Sequence, residues 1–161
     1  MRRARLFACP AFATSLLVLA AAAQAAPGSL GGETFGREFC LPAPIAAGDR
    51  GPEVGLAVER ANARPGGAAF ARVENRSEER IEFGVEYRVQ RFVGGKWRRA
   101  PGAPHGPWIQ IALLLAPGHS GSCMRYVVPE EAPPGRYRFS RDLIAGGGPA
   151  RAYFASFRVV P

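Results

Sequence analysis

The chain has 161 residues, and its formal net charge of +8 comes from 21 basic and 13 acidic side chains. The first 25 residues have the character of an export signal. Without them 136 residues remain, which suffices for one domain with a sizeable core and excludes two. A basic protein can attract nucleic acid, lipid headgroups or acidic glycans. Because the arginines are scattered along the sequence, and Gly, Pro and Ala are abundant, we interpret the charge as a compositional bias.

The N-terminal segment predicts export. Arg2, Arg3 and Arg5 precede an uncharged, mostly apolar run that ends at Ala23, and Ala23-Gln24-Ala25 is a small-x-small cleavage site. This order is typical of a secretory signal peptide. A membrane anchor is the competing interpretation, since the run is nearly long enough to span a bilayer. A lipoprotein signal at Cys9 is disfavoured because Cys9 precedes the run. We expect a periplasmic or extracellular protein with no stable membrane insertion after signal cleavage.

Two cysteines, Cys40 and Cys123, remain once the signal is removed. An even count in an oxidising compartment predicts a disulfide between them. The bridge would close a loop of about 84 residues and stabilise the fold by about 4–5 kcal/mol in the chain-entropy model. A pair of free thiols is the alternative. A metal site is not expected, because two cysteines and two distant histidines lack the close ligand pairs of zinc sites.

Residues 26–52 form a lead-in rich in Gly and Pro, and the domain is predicted to occupy residues 53–161. Apolar residues fall on every second position from Ile81 to Val89, which predicts a half-buried β-strand. Turns such as Gly94-Gly95 reverse the chain at short intervals, and no segment keeps a helical period. The pattern predicts an all-β fold, an antiparallel β-sandwich of about seven to nine strands. The strands are expected at residues 53–60, 68–75, 80–93, 96–99, 108–115, 119–128, 135–143 and 151–160.

The phase of each strand divides the aromatic residues into two groups. Tyr126, Tyr137 and Phe139 fall on the apolar phase and are expected in the core, whereas Phe92 and Phe154 fall on the outward phase. Exposed apolar side chains tend to mark contact surfaces. One register stays open: at 119–128, Cys123 lies on the phase opposite to Met124, Tyr126 and Val128, so that one of the two sets must face away from the core.

Five short motifs occur in order along the sequence. They are Asn75-Arg76-Ser77, Phe83-Gly84-Val85-Glu86-Tyr87, Gly95-Lys96-Trp97, Leu115-Ala116-Pro117-Gly118 and Pro134-Gly135-Arg136-Tyr137. Together they resemble the small bacterial immunoglobulin-like domains of secreted proteins and lipoproteins, over roughly residues 54–160. The resemblance implies an immunoglobulin-like sandwich without assigned catalytic residues, so it transfers no site. The cysteine pair and a proline-rich insertion at 101–107 depart from that family's pattern.

No catalytic constellation is recognisable. His105 lies in a proline-rich loop and His119 follows a turn glycine. Neither stands in a motif that would orient a base toward a nucleophile. The adjacent acidic pairs Glu78-Glu79 and Glu130-Glu131 fall in turns and are interpreted as solubilising charge. We therefore expect no enzymatic activity, no cofactor and no metal.

Trp97, His105 and Trp108 form a candidate binding surface around the loop at residues 100–107. Aromatic residues beside a rigid loop are common in binding hot spots. The alternative is that both tryptophans cap the core at one end. The main hypothesis is a non-catalytic exported binding or structural module, with a cell-envelope protein as partner and no nucleic acid. The alternative is a proteinase inhibitor presenting the loop 100–107, because the Asn75 turn, the Trp97 hairpin and the Pro-Gly turns are also similar to a family of small bacterial proteinase inhibitors with an immunoglobulin-like fold.

Overall fold

The structure is a computed structural model that describes residues 41–161. The predicted signal peptide, Cys40 and the first part of the lead-in lie outside the described residues. The described chain folds into eleven β-strands and no helix. Accordingly, nothing in residues 41–161 could cross a membrane as a helix. The all-β prediction is therefore confirmed.

All eight predicted strands have counterparts in the structure. The described chain has more strands than the predicted seven to nine because one predicted strand is divided and two strands of two residues are added. The strands are β1 Ala43–Pro44, β2 Val54–Val58, β3 Asn62–Ala63, β4 Ala68–Asn75, β5 Ile81–Gly84, β6 Arg88–Val93, β7 Lys96–Arg99, β8 Ala112–Leu115, β9 His119–Val127, β10 Gly135–Ala145 and β11 Arg151–Val159.

These strands form two sheets that pack face to face. The smaller sheet has the order β1-β9-β4-β2, and the larger has the order β3-β11-β10-β5-β8. In the larger sheet β6 also pairs with β10, and β7 pairs with β6. Of the pairings between described strands, only the short β3–β11 pair is parallel. The sequence alternation places one set of side chains between the sheets and the other set outside.

The core between the sheets is dominated by aromatic rings. Tyr126 of the smaller sheet packs against Tyr137 and Phe157 of the larger sheet, with ring centroids 6.2 Å apart in both contacts. Phe139 lies 5.3 Å from Phe157. The four rings are buried, and burial of each contributes on the order of 1.5–3 kcal/mol. The core position predicted for Tyr126, Tyr137 and Phe139 is confirmed. A second cluster comprises Val73, Ile81, Phe83, Leu115 and Leu143.

A β-bulge in β9 explains the phase that the sequence left open. Ala71 of β4 pairs with Met124, but Val73 pairs with Gly121, so that two residues of β9 oppose one residue of β4. Ser122, in the bulge, has a φ of 52°, the left-handed region that few residues other than glycine adopt. The inward phase therefore changes at the bulge. Gly121 and Met124 are both buried, and Cys123 is only half-buried.

The predicted strand 80–93 is interrupted between β5 and β6. On β10, Leu143 pairs with Phe83 and Ser140 pairs with Arg88. The four residues 84–87 therefore lie opposite two residues of β10, 141 and 142. This interruption also shortens β8, which pairs with β5 only as far as Gly84 and so begins at Ala112 rather than at residue 108. The interruption coincides with a buried arginine, Arg141, whose contacts are described below.

Asn75 connects the turn between β4 and β5 to the larger sheet through side-chain hydrogen bonds. Its Nδ2 donates hydrogen bonds to the carbonyl oxygens of Glu79, at 2.8 Å, and Leu115, at 3.1 Å. Its Oδ1 accepts from the backbone N–H of Ser77, and the Ser77 hydroxyl lies 2.6 Å away. Because Asn75 is fully buried and both of its amide atoms are satisfied, the motif Asn75-Arg76-Ser77 acts as a structural joint.

Candidate functional site

Trp108 and His105 line a common cleft of about 270 Å³. The Trp108 ring lies 5.4 Å from the ring of Tyr87, and the Tyr87 hydroxyl donates a hydrogen bond to the carbonyl oxygen of Arg125. Arg99 also lines this cleft. Two of the three residues of the predicted binding surface therefore meet in one depression beside the proline-rich loop.

Trp97 lies elsewhere, on the outer face of the larger sheet. It pairs with Phe92 across the β6–β7 hairpin, with ring centroids 5.1 Å apart. The guanidinium carbon of Arg138 lies 4.3 Å from the Trp97 ring centroid. The idea that both tryptophans cap the core at one end does not describe this side chain, because the period of two places it outward together with Phe92.

The loop at residues 100–107 has two parts. Its first part is a turn in which Ala100 and Ala103 are buried, closed by a hydrogen bond from the Ala103 N–H to the Ala100 carbonyl oxygen. The hydroxyl of Tyr126 donates to the carbonyl oxygen of Pro101 at 2.6 Å. In the second part His105 is exposed. Only this second part is accessible over several consecutive residues.

Arg141 is the most strongly perturbed basic group in the described chain. Its guanidinium donates to the carbonyl oxygens of Val85, at 2.7 Å, and Glu86, at 3.2 Å, in the gap between β5 and β6. It also donates to the Ser122 hydroxyl, at 2.7 Å, in the bulge of the opposite sheet. Burial lowers the pKa of Arg141 to about 10. The side chain thus joins two irregular backbone segments of different sheets.

Arg141 was not predicted from the sequence, although its position in β10 indicates a buried side chain. It shares the inward phase of β10 with Tyr137, Phe139 and Leu143, and an arginine at a core position requires partners. Here those partners are backbone carbonyl oxygens that the ladders leave free. Because its donors are committed in this way, Arg141 is a structural group rather than an anchor for a ligand.

The outer face of the larger sheet carries a layered group of cationic and aromatic side chains, which we term the arginine–aromatic face. It comprises Phe92, Trp97, Arg136, Arg138 and Phe154. Arg138 lies between two rings, with its guanidinium carbon 3.9 Å from the Phe154 centroid and 4.3 Å from that of Trp97. Arg136 lies 5.1 Å from the Phe92 centroid. Such cation–π contacts stabilise exposed sites by about 0.5–1 kcal/mol each.

The predicted disulfide partner Cys40 lies outside the described residues. The neighbouring backbone follows β9: Ala43 pairs with Ser120 in the antiparallel β1–β9 ladder. A Cβ built on Gly121 would lie 3.2 Å from the Cα of Pro42. From Pro44 back to Pro42 the chain therefore follows β9 from His119 to Gly121, in the direction of Cys123. The bridge itself stays a prediction.

His119 and Glu74 have local partners in the described part of the chain. The Nδ1 atom of His119 lies 2.7 Å from the carbonyl oxygen of Pro117, within its own turn. Glu74 is engaged by two arginines, Arg72 and Arg76, on the outer face of the smaller sheet. Within the described residues no group of three His, Cys, Asp or Glu side chains is placed to hold a metal ion.

Two sheets packed face to face around an aromatic core, with the motifs placed at their turns, define an immunoglobulin-like β-sandwich. The chain belongs to the bacterial Ig-like domain family, whose model matches residues 51–156. The predicted resemblance is therefore confirmed. Membership in this family indicates a structural or binding module.

Similarity to other known proteins is distant. A search of curated protein sequences finds no significant match. Among solved structures, the sporulation control protein Spo0M of Bacillus subtilis is 14% identical, with a TM-score of 0.38 over 68% of this chain and 49% of that one. A family 123 glycoside hydrolase of Clostridium perfringens is 12% identical, with a TM-score of 0.37 over 66% of this chain and 27% of that one. The chain spans less than half of either protein, and neither likeness carries an argument about function.

Proposed function

We propose that the protein is an exported, non-catalytic binding module that acts in the periplasm or at the cell surface. The observation that carries the proposal is an immunoglobulin-like sandwich with an ordered, solvent-accessible arginine–aromatic face. Phe154, on the β11 side of that face, is 47% exposed. Large aromatic side chains and arginines are the residue types enriched at binding surfaces. The predicted signal peptide supports the location outside the cytoplasm.

The arrangement of the polar groups supports binding rather than catalysis. The buried Arg141 is committed to backbone carbonyl oxygens, and the buried Asn75 is committed to a turn. A general base needs a nucleophile within hydrogen-bond reach and a third group that orients it. The contacts of His119 are made within its own turn, which gives it the role of a turn residue.

Fractionation of expressing cells, followed by an activity screen, tests this proposal. We expect the protein in the periplasm or the medium, and we expect no turnover in a broad hydrolase screen. Retention of the uncleaved chain in the cytoplasm would refute the location. Turnover that is lost in His105→Ala or His119→Ala would refute the non-catalytic role, and Asn62→Ala is a matched exposed control.

Proteinase inhibition is the second candidate, and the segment 104–107, exposed from His105 to Pro107, favours it. This segment follows an anchored turn, and its prolines restrict the backbone, which lowers the entropy cost of docking in a protease cleft. The accessible part is shorter than the predicted loop 100–107, because Ala100 and Ala103 are buried. Titration of the protein against serine and cysteine proteases tests this candidate. Saturable inhibition that is abolished in a variant with Pro104–Pro107 replaced by glycines would support it, and cleavage of the segment without inhibition would refute it.

A further inference from the structure

The outward positions of the strands β6, β7, β10 and β11 carry an excess of arginine. Register places Arg138 opposite Gln90, Gln90 opposite Arg99, and Arg136 opposite Arg158, so that these side chains share one face. The acidic residue at an outward position of these four strands is Asp142. It pairs with Arg88, with the carboxylate oxygen 3.5 Å from the guanidinium nitrogen.

The remaining arginines of this face form no ion pair with any carboxylate of the described residues. Arg99, Arg136 and Arg138 interact instead with rings, with a side-chain amide, or with a backbone carbonyl oxygen. Arg136 and Arg158 occupy directly opposite positions on neighbouring strands, an arrangement in which like charges destabilise a sheet. The face therefore concentrates positive charge at a cost to the isolated domain.

The smaller sheet provides an internal comparison. On its outer face Glu74 is buried between Arg72 and Arg76 and neutralises part of their charge. The same chain thus pairs Arg72 and Arg76 with a carboxylate on one face of the sandwich, and pairs none of Arg99, Arg136, Arg138 and Arg158 with a described carboxylate on the other. An anionic partner would supply the missing compensation.

We propose that the arginine–aromatic face binds an acidic polysaccharide through its carboxylate groups. This proposal rests on the proposed function and names the ligand class of that module. A guanidinium presents parallel N–H donors that match the two oxygens of a carboxylate. The exposed ring of Phe154 supplies apolar surface beside these donors, suited to the C–H face of a sugar ring.

The geometry and the expected location favour this partner over two others. The rings are packed against guanidinium groups, whereas interfacial membrane binding needs an apolar face that can enter the acyl boundary. Single-stranded nucleic acid stacks its bases on such rings, but an exported protein meets envelope polysaccharides first. Vesicles and an oligonucleotide therefore serve as competing probes.

The test uses protein recovered from the expressing bacterium, with whatever processing export produces. Isothermal titration at low ionic strength compares polygalacturonate with its fully methyl-esterified form, which has the same backbone without charge. We expect binding of the acid form only, weakened by added salt. The double variant Arg136→Gln/Arg138→Gln should weaken binding by about tenfold or more, since it removes two charged contacts.

Arg98→Gln is the matched control, because Arg98 is an exposed arginine on the opposite phase of β7. It should change the affinity by less than about twofold. The exposed single variant Arg136→Gln serves if the double variant does not fold, as judged by circular dichroism. The proposal is overturned if the ester binds as well as the acid, or if Arg98→Gln weakens binding as much as the double variant does.

Two further results would also overturn it. The first is preferential binding of a single-stranded oligonucleotide of equal charge, and the second is preferential binding of phosphatidylglycerol vesicles. Absence of binding to every probe by a correctly exported protein would refute the ligand class and leave the proposed binding module standing. Cytoplasmic retention would refute the proposed function instead.

Discussion

Replacing Asn75 with alanine should destabilise the protein severely, although Asn75 lies in a turn. The substitution removes the two donors that reach Glu79 and Leu115, and the acceptor of the Ser77 N–H. The Glu79 carbonyl oxygen keeps the Ser77 hydroxyl as a partner, at 3.0 Å. Four groups lose Asn75 as a partner, and two of them, the N–H of Ser77 and the carbonyl oxygen of Leu115, have no other side-chain partner.

An unsatisfied buried polar group costs about 1–3 kcal/mol, so the expected loss is about 3 kcal/mol of the free energy of unfolding. For a domain of this size such a loss lowers Tm by about 10–15 °C. Urea unfolding followed by tryptophan fluorescence measures the change. The matched control is Asn62→Ala, because Asn62 is exposed, and it should stay within about 0.5 kcal/mol of the natural protein.

Two variants separate the contributions of the turn. Ser77→Ala keeps both donors of Asn75 and should cost about 1 kcal/mol. Asn75→Asp keeps an acceptor for Ser77 but places a negative charge against the carbonyl oxygens of Glu79 and Leu115, so it should cost at least as much as Asn75→Ala. If the free energy of unfolding of Asn75→Ala stays within about 1 kcal/mol of that of the natural protein, the hydrogen bonds of Asn75 do not stabilise the turn as we propose.

Three further predictions concern the core and the bridge. Arg141→Met leaves carbonyl oxygens unpaired in both sheets and should lower the free energy of unfolding by about 2–4 kcal/mol. Arg98→Met is the control. If Arg141→Met is as stable in urea as the natural protein, the cost of burying the guanidinium cancels the benefit of its contacts. Burial raises the pKa of Tyr126 from 10 to about 12. Between pH 10 and 12 the Tyr126 hydroxyl therefore loses its proton in the unfolded chain but keeps it in the folded one. Because ionisation favours the unfolded chain, the free energy of unfolding falls as pH rises above 10. Tyr126→Phe should lose about 1 kcal/mol at neutral pH, through its bond to Pro101, and should show a smaller further loss at pH 11; an unchanged pH dependence would contradict this. Cys40→Ser should lower Tm without abolishing the β-sheet circular dichroism, and thiol counting on denatured, unreduced protein should find no free thiol; two free thiols per chain would exclude the bridge.

The fold could be predicted because strand alternation and turn residues are local features of the sequence. Alternation from Ile81 to Val89 and the turn glycines placed the strands, and β4 and β7 have the predicted bounds. The interruption after Gly84 could not be predicted, because alternation continues through it. The carbonyl oxygens of the interruption bond to a side chain on β10, Arg141, which is more than 50 residues away in sequence and becomes a neighbour only through sheet pairing.

The candidate site was predicted less well because it too depends on long-range strand pairing. The arginines look scattered in the sequence, and that impression favoured a compositional explanation of the charge. Pairing of β6, β7, β10 and β11 brings them together, since a residue at every second position of each strand points to the same side. Clustering on a sheet face depends on register, and register is fixed by bulges and long-range pairs that local sequence does not encode.

Arginine footprinting tests the central claim, that the protein functions by binding through the arginine–aromatic face. The exported protein is treated with an arginine-specific reagent, with and without the soluble polysaccharide of the producing cell's envelope, and modified peptides are quantified by mass spectrometry. The account predicts that Arg136 of this face, and Arg158 directly opposite it on β11, lose reactivity in the presence of the polysaccharide. Arg98 and Arg151 are exposed on the opposite phase of β7 and β11 and should keep theirs. Equal protection of all four arginines, or protection of none, would contradict it.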